Sequence, residues 1–494
     1  MMPTHARNLL QTVCLFSLVF ALFISVPLWT NKIYYGDDFF RLYNGDGTIW
    51  LSNGRPLTTL LHYLLAFNTT LIDISPIPLL AGLTALSFSA ALFVCRLQSG
   101  LPPAGIILLS LGVLANPFLS QPMLYIWDSF SILLAISLAM LAAMYYPRSL
   151  WRDMVYSAGL LLSMLMLYQI AINLYLACVV IVGYRLICLR LPLLRFLLIK
   201  AVTLGLVVLL YKFFIAPALI NDNYSLTQSE FVPSLSLFIT ALPDTLVNFY
   251  ALIQAAFPGW RMSFVWLPGL VAVLAVLYQT VEILRDRTRT QRIPAALFYL
   301  FAPVLIVLSI PGVSIFLKVP LFAPRVMASF SAYTLFCMLV IFSVTPPRLR
   351  LAVGAGWGIV LLYSVVSLTT VFNTLNRDQQ YLSSVMWMIK ADVARVKATQ
   401  EVKNISFIGT LVIVPDTAHA RNNFPLVTEI RPAISKYTYP YFLMERSTGL
   451  KAIRADASIV YFRPEKYVSK SCDYTLYMVN STAVVNFNTL CQPN

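Results

Sequence analysis

About eleven apolar runs, most of them near twenty residues long, succeed one another between residues 9 and 372, and nothing else constrains the chain so strongly. Runs of that length satisfy their backbone in a bilayer only as helices. The spacing predicts spans at 9–29, 76–95, 103–119, 124–146, 154–168, 171–188, 199–218, 264–284, 294–310, 326–344 and 351–372. With 59% hydrophobic and 11% charged side chains and a mean hydropathy of +0.77, a soluble globular chain is excluded, since average proteins carry roughly twice that charge. The fold class is a polytopic α-helical membrane protein.

The net charge of +15 points to membrane topology rather than nucleic acid, because no soluble stretch carries a basic patch with interleaved aromatics. Arg7, Arg96, Arg148, Arg152, Arg185, Arg190, Arg195, Lys200, Arg285, Arg287, Arg289, Arg292, Arg348 and Arg350 fall on alternate loops. By the positive-inside rule those loops and the N-terminus are cytoplasmic, and an odd number of spans puts the C-terminus outside. Residues 1–29 read as a retained signal anchor, because the apolar run is long and its end makes a poor cleavage site.

Two domains are expected: a transmembrane domain at 1–373, with an outer loop at 31–75, and a polar tail at 374–494. In the outer loop, 56–67 reads as a short interfacial helix with Leu57, Leu60, Leu61, Leu64 and Leu65 on one face. A second amphipathic segment is expected at 246–257. The tail predicts a helix at 379–397 and strands at 405–414, 457–462 and 476–487, a small α/β unit. Of seven cysteines, Cys14, Cys95, Cys178, Cys188 and Cys337 lie in or beside apolar spans. Cys472 and Cys491 share the tail and are the disulfide candidates if it is extracytoplasmic.

Chemistry concentrates in Tyr34-Tyr35-Gly36-Asp37-Asp38-Phe39-Phe40-Arg41. Adjacent carboxylates point in different directions, so one can face a substrate while the other meets Arg41 or the backbone. A carboxylate that deprotonates a hydroxyl is the base expected when the leaving group is a phosphate, which departs without an acid; which of the two serves stays open. Asp46, Trp50 and Arg55 follow in the same loop. Trp50 offers a flat face for a sugar or an anchor at the interface. Arg55 suits a lipid phosphate or headgroups. Arg325, with Lys318 close in sequence, is the outer-face cation best suited to bidentate phosphate recognition; snorkelling is the alternative. Asp128, near an outer helix end, is costly there unless wet or paired. It is assigned to the acceptor side; Tyr168, Gln169 and Asn173 either line the same cavity or, as suits them better, make interhelical hydrogen bonds. His5, His62 and His419 are too scattered for one site, and no nucleotide loop, GxSxG or HExxH is present. Asp37, Asp38 and Asp46 have ligand chemistry for Mg²⁺ or Mn²⁺, but no further motif supports a metal, and no cofactor is expected.

The Asp37-Asp38-x-x-Arg41 run, the downstream Asn53-Gly54-Arg55-Pro56-Leu57, the hydropathy of the whole chain and the polar tail together resemble the phage-encoded serotype-converting O-antigen glucosyltransferases, integral-membrane glycosyltransferases of the C type. The resemblance implies glucose transfer from undecaprenyl-phosphate-glucose to a sugar of the lipid-linked O-antigen repeat, on the periplasmic face of the bacterial inner membrane. It implies inversion, typically from a β-linked donor to an α-glucoside, and companion proteins that make and flip the donor. Asp37 and Asp38 inherit the base role, and Arg41 and Arg55 match the family pattern, whereas Arg325 and Lys318 as phosphate ligands, and Tyr35, Asp46, Trp50 and Asp128 as sugar or acceptor contacts, come from the residues alone. Two other functions fit a chain of this kind: a lipid-linked sugar or aminosugar transferase acting on lipid A or protein, and a non-enzymatic flippase. Polar density on one face favours catalysis over transport, whose proteins place broken polar helices at the midplane.

Overall fold

The computed structural model describes residues 4–97, 100–144, 150–220, 226–227, 229–286, 292–410, 414, 417–431, 444–445 and 448–487. Arg148, Arg287, Arg289 and Cys491 lie outside the described residues. The chain forms two compact units, one of Met1–Thr30 and Asp46–Thr369, the other of Asn31–Gly45 and Thr370–Asn494. The loop expected at 31–75 is therefore divided at Gly45. The helix Arg350–Lys397 runs for 48 residues, so the last expected span and the expected tail helix are one element.

The larger unit is helical. Among its described residues, 10 helices are long and apolar enough to cross a membrane, or 11 with a bent pair counted as one span. The chain is thus a multi-pass membrane protein, as its hydropathy predicts. Gln169–Cys188 and Pro324–Val344 are mostly buried, while Ala6–Thr30, Leu193–Leu219 and Gly259–Arg285 turn most of their apolar surface outward. Exposed Leu15, Phe23, Leu198, Leu206 and Leu270 suit a lipid surround.

Two expected spans differ. The run at 124–146 contains a helix of only 16 residues, Asp128–Ala143, and the preceding Pro103–Leu114 and Pro117–Leu124 form the pair bent by 47°. Pro117 stops the first of these, because proline cannot donate within a continuing helix. Asn116 satisfies the break: its Oδ1 accepts from the Phe118 N–H, and its Nδ2 donates to the Ala328 carbonyl and to Ser331, all at 3.0 Å. Conversely, the segment expected at 246–257 is part of a 22-residue helix, Leu235–Ala256, that is long and apolar enough to cross. Pro243 and Asp244 interrupt its apolar run in the sequence. The short helix Pro56–Ala66 forms as expected, with Thr58, Thr59 and His62 buried and Leu60 and Leu64 exposed. Its polar side faces protein and its leucines face outward, the reverse of a soluble amphipathic helix.

Side-chain contacts sort the loops of this unit into two ends. At one, Arg185 Nε donates to the Leu97 carbonyl at 2.9 Å, Arg190 pairs with Asp286 at 2.9 Å, and buried Lys200 reaches the Ala142 carbonyl at 3.1 Å and Asp153 at 2.8 Å. These are loops that charge alone assigns to one side. At the other end, Trp127 Nε1 donates to the Ile72 carbonyl at 3.2 Å, and Asn173 clamps the 311–313 turn through Pro311 O and Val313 N at 2.8 and 2.9 Å.

In the smaller unit, β1 (Asn404–Ile408), β2 (Lys451–Ala452), β3 (Ser469–Lys470), β4 (Thr475–Val479) and β5 (Thr482–Asn486) form one sheet of order β2-β1-β5-β4-β3. β1 is parallel to β2 and β5, and the β3–β4 and β4–β5 pairs are antiparallel. Leu382, Val385, Met386, Ile389, Val393 and Val396, spaced for one helix face, bury against Ile405, Phe407, Leu476, Ala483 and Val485 on one side of the sheet. Ile408, Tyr477, Val484 and Ile459 form a smaller cluster. The strand expected at 476–487 is a hairpin that turns at Asn480, where φ is +51°. The strand expected at 457–462 is instead a helical turn, Ala457–Val460, because Asp456 Oδ1 caps it by accepting from the Ile459 N–H at 3.1 Å. The Ser458 hydroxyl, and after it that capping contact, favour the ionised form, so the Asp456 pKa lies below its usual range. Of the strand expected at 405–414, the described part ends at Ile408; residues 411–413 lie outside the described residues. Cys472 is disulfide-bonded, and Cys14, Cys95, Cys178, Cys188 and Cys337 are free.

Candidate active site

The acidic pair sits in the smaller unit and is split by its surroundings. The helix Asp38–Asn44 begins between the two carboxylates, with Asp37 at its N-cap. Asp38 is fully buried; its Oδ2 accepts from the Tyr35 backbone N–H at 3.2 Å, and its Oδ1 lies 3.6 Å from the Arg41 guanidinium. Asp37 lies 3.7 Å from the same guanidinium, yet its side chain is 70% exposed, against 3% for Arg41. One residue of register therefore turns one carboxylate into the packing and leaves the other in solvent over a buried cation. Tyr35, expected at a sugar, is buried, and its hydroxyl donates to the Ile430 carbonyl at 2.9 Å.

The larger unit gathers four other predicted residues. Trp50 is fully buried, stacked on His62 with ring centres 4.5 Å apart, and its Nε1 donates to Asp128 Oδ1 at 2.8 Å. Trp50 and Asp128 are thus a buried pair beneath the surface, which answers the cost of an acid at a helix end. Beside them, half-buried Arg55 donates from Nε to Gln169 Oε1 at 3.2 Å and lies 5.0 Å over the Tyr168 ring. Half-buried Arg325 donates from Nη1 to the Tyr125 hydroxyl at 2.6 Å, and its backbone N–H donates to Gln121 Oε1 at 2.8 Å.

The Asn53-Gly54-Arg55-Pro56 turn is built for this place. Gly54 has a φ of +73°, and a Cβ there would meet the Tyr211 hydroxyl and Ile220; the left-handed conformation and the lack of space both call for glycine. The Tyr211 hydroxyl donates to the Gly54 carbonyl at 2.7 Å, and Gln169 Nε2 donates to the Asn53 carbonyl at 3.0 Å. Pro56 then opens the next helix, where its missing N–H costs nothing, and Arg55 is left at the rim.

Two predicted residues have other work. Asp46 Oδ1 accepts from the Thr48 N–H and hydroxyl, both at 2.7 Å, closing a turn beside the bridge to Thr70. Lys318 is ion-paired with Glu230 at 2.8 Å in an exposed clasp of two short segments. Among the described residues, no three His, Cys, Asp or Glu side chains gather as a metal set.

The family model described as Glucosyl transferase GtrII matches residues 26–336. The chain belongs to this family. Membership makes it a glycosyltransferase, as its motifs predict, and the matched range contains Asp37, Arg55, Asp128 and Arg325. A curated protein of Salmonella phage P22, described as an uncharacterized 55.3 kDa protein in the gtrB 5' region, is 25% identical over 488 residues, covering 95% of this chain and 96% of its own. No solved structure matches. Sequence reasoning missed three supports in this GtrII chain: His62, which stacks on Trp50 from within the same loop, Tyr125, which accepts from Arg325, and Tyr211, which donates to the Gly54 carbonyl from a distant helix. It also missed Asp378, Arg421 and Arg431, which lie beyond the family match. The one local signal was the Gly-Arg-Pro turn, whose glycine demands a crowded neighbour.

Proposed function

We propose that this glucosyltransferase moves glucose from undecaprenyl-phosphate-glucose to a hydroxyl of the lipid-linked O-antigen repeat, on the periplasmic face of the inner membrane, with Asp37 as general base. The reading accounts for serotype conversion as the biological outcome. The observation that carries it is the divided acidic pair: Asp37 is exposed and Asp38 is consumed by backbone and Arg41 contacts. Asp37 takes the proton of the acceptor hydroxyl as that oxygen attacks the glucose C1. The C1–O bond to phosphate breaks with inversion, and undecaprenyl phosphate leaves as an anion, which needs no acid. Arg55 and Arg325 carry the charge for that phosphate. Arg55 makes its hydrogen bond and ring contact with neutral groups, so its charge is available to an anion. Companion proteins make and flip the donor, as the resemblance implies, and the base role calls for no metal.

The test is full-length protein in proteoliposomes, supplied with undecaprenyl-phosphate-glucose and lipid-linked O-antigen repeat. Mass analysis should find one added hexose, which Asp37→Asn abolishes while Asp37→Glu retains a fraction. A flippase would move lipid and make no glycosidic product, and transfer to lipid A alone would reassign the acceptor. Full activity in Asp37→Asn would remove the base assignment.

A further inference from the structure

The segment that carries Asp37 cannot hold itself. Residues 31–45 contain one helix of seven residues, far below the length at which an isolated helix is stable in water. The Asp37 side chain makes no capping bond to that helix. The tail braces the segment. Arg431 Nη2 donates to the Tyr34 carbonyl at 2.9 Å, and its guanidinium lies 5.9 Å over the Tyr35 ring. The Tyr35 hydroxyl returns to the Ile430 carbonyl, one residue before Arg431, at 2.9 Å. The two stretches are thus laced together by reciprocal contacts, each ending on a main-chain oxygen.

Arg431 is itself held from behind. Its carbonyl accepts from Arg421 Nη1 at 2.8 Å. Buried Arg421 is ion-paired with buried Asp378 of the helix Arg350–Lys397, and the Thr417 hydroxyl donates to the other Asp378 oxygen at 3.1 Å. Leu426, Val427 and Ile430 bury the short helix that precedes Arg431. From a rigid helix, through two guanidinium groups, the chain of contacts reaches the backbone three residues before Asp37.

We infer that Arg431 is a positioning residue for glucosyl transfer, with Arg421 and Asp378 as its support, and that the C-terminal unit sets where the Asp37 carboxylate stands. This rests on the assignment of Asp37 as base. It gives the tail a role in turnover itself. Misplacement of a reacting group by about 1 Å costs on the order of 100-fold in rate, so loss of the Tyr34 contact falls on kcat and spares binding of the lipid donor.

The experiment compares Arg431→Gln, Arg431→Lys, Tyr35→Phe and Asp37→Asn in full-length protein, reconstituted at equal membrane levels and assayed for kcat and for KM of donor and acceptor. Arg431→Gln should lower kcat by about 30- to 100-fold with donor KM within about twofold. Arg431→Lys, which keeps a donor and the charge, should recover about tenfold of that loss, and Tyr35→Phe, lacking one hydrogen bond, should lose about tenfold. A merely structural role would lower the amount of folded protein and leave kcat per folded molecule unchanged, and that result overturns the inference. If Arg431→Gln does not accumulate, Tyr35→Phe decides: unchanged kcat overturns the proposal, and a loss in kcat alone supports it. Full activity of Arg431→Gln beside an inactive Asp37→Asn removes the positioning role and keeps the base. An active Asp37→Asn removes the base itself.

Discussion

The two ends of the helical unit both carry buried or half-buried cations, and they treat them in opposite ways. At the loop-rich basic end, Lys200 is 1% exposed and meets Asp153, also 1% exposed, at 2.8 Å, with Ser157 and the Ala142 carbonyl completing its shell at 2.7 and 3.1 Å. At the other end, Arg55 reaches the Gln169 amide oxygen and the face of Tyr168. A carboxylate partner neutralises a charge and fixes geometry; neutral partners orient a charge and leave its field for a third party. The comparison teaches that burial of a cation does not mark a site, whereas the chemistry of its partners does.

The largest effect should come from breaking the neutralised end. Lys200→Met leaves the buried Asp153 carboxyl without its partner, a change that costs about 3–5 kcal/mol. Thermal unfolding of the detergent-solubilised protein should show it as a much lower Tm, with transfer per folded molecule unchanged. Lys200→Met combined with Asp153→Leu should restore most of the loss, because an apolar pair of similar volume needs no compensation. A selective loss of kcat in folded Lys200→Met would mean that this end takes part in chemistry, and the comparison would fail.

The opposite end should show the inverse pattern. Arg325→Gln keeps a hydrogen-bonding side chain for Tyr125 and removes the charge, so Tm should hardly move. Transfer should fall by about 10²- to 10³-fold, the usual cost of deleting one donor to a developing anion. Arg55→Lys keeps the charge and loses the planar fork, and should cost less, about tenfold, mainly in donor KM. If Arg325→Gln lowers Tm as Lys200→Met does, its contact with Tyr125 is structural and the phosphate role passes to Arg55 alone.

What could be read in advance follows the same division. Spans, their approximate number and the helix face from Leu382 to Val396 are written in hydropathy and periodicity, which act locally. The loops that share an end are legible in their arginines, although Lys200 of that basic set is a buried partner of Asp153. The split of Asp37 from Asp38 was foreseeable as geometry, but not its direction, because that depends on where Tyr35 and Arg41 pack. Trp50 reads equally as a sugar platform or an interface anchor, because only its contacts with Asp128, distant in sequence, and with His62 reveal it as buried. The strand expected at 457–462 failed for a short-range reason: Asp456 offers a cap that outweighs the β propensity of Ile459, Val460 and Tyr461.

A smaller effect sharpens how the site end is built. Gly54→Ala forces a side chain into a left-handed turn and against the Tyr211 hydroxyl, which costs about 1–3 kcal/mol. The strain should appear less as global unfolding than as displacement of Arg55, the next residue. Donor KM should therefore rise, and the same rise should follow Tyr211→Phe in weaker form, through loss of its bond to the Gly54 carbonyl. Unchanged donor KM in Gly54→Ala would detach the turn from the phosphate role of Arg55.

The smallest expected effect is a reference for both ends. Ser17 and Ser110, each fully buried, meet at 2.8 Å between the helices Thr4–Thr30 and Pro103–Leu114. The pair is polar and buried like the contacts at the ends, but it carries no charge. A double-mutant cycle with Ser17→Ala and Ser110→Ala should give a coupling of about 0.6 kcal/mol, the average for hydrogen bonds between membrane helices. That value is small because each serine can bond a carbonyl of its own helix when the partner is gone. Lys200 and Asp153 have no such local substitute for their opposite charge, so their coupling should be several times larger. If the two cycles give equal couplings, the neutralised end owes its stability to packing, and charge pairing ceases to distinguish it from the end that holds Arg55.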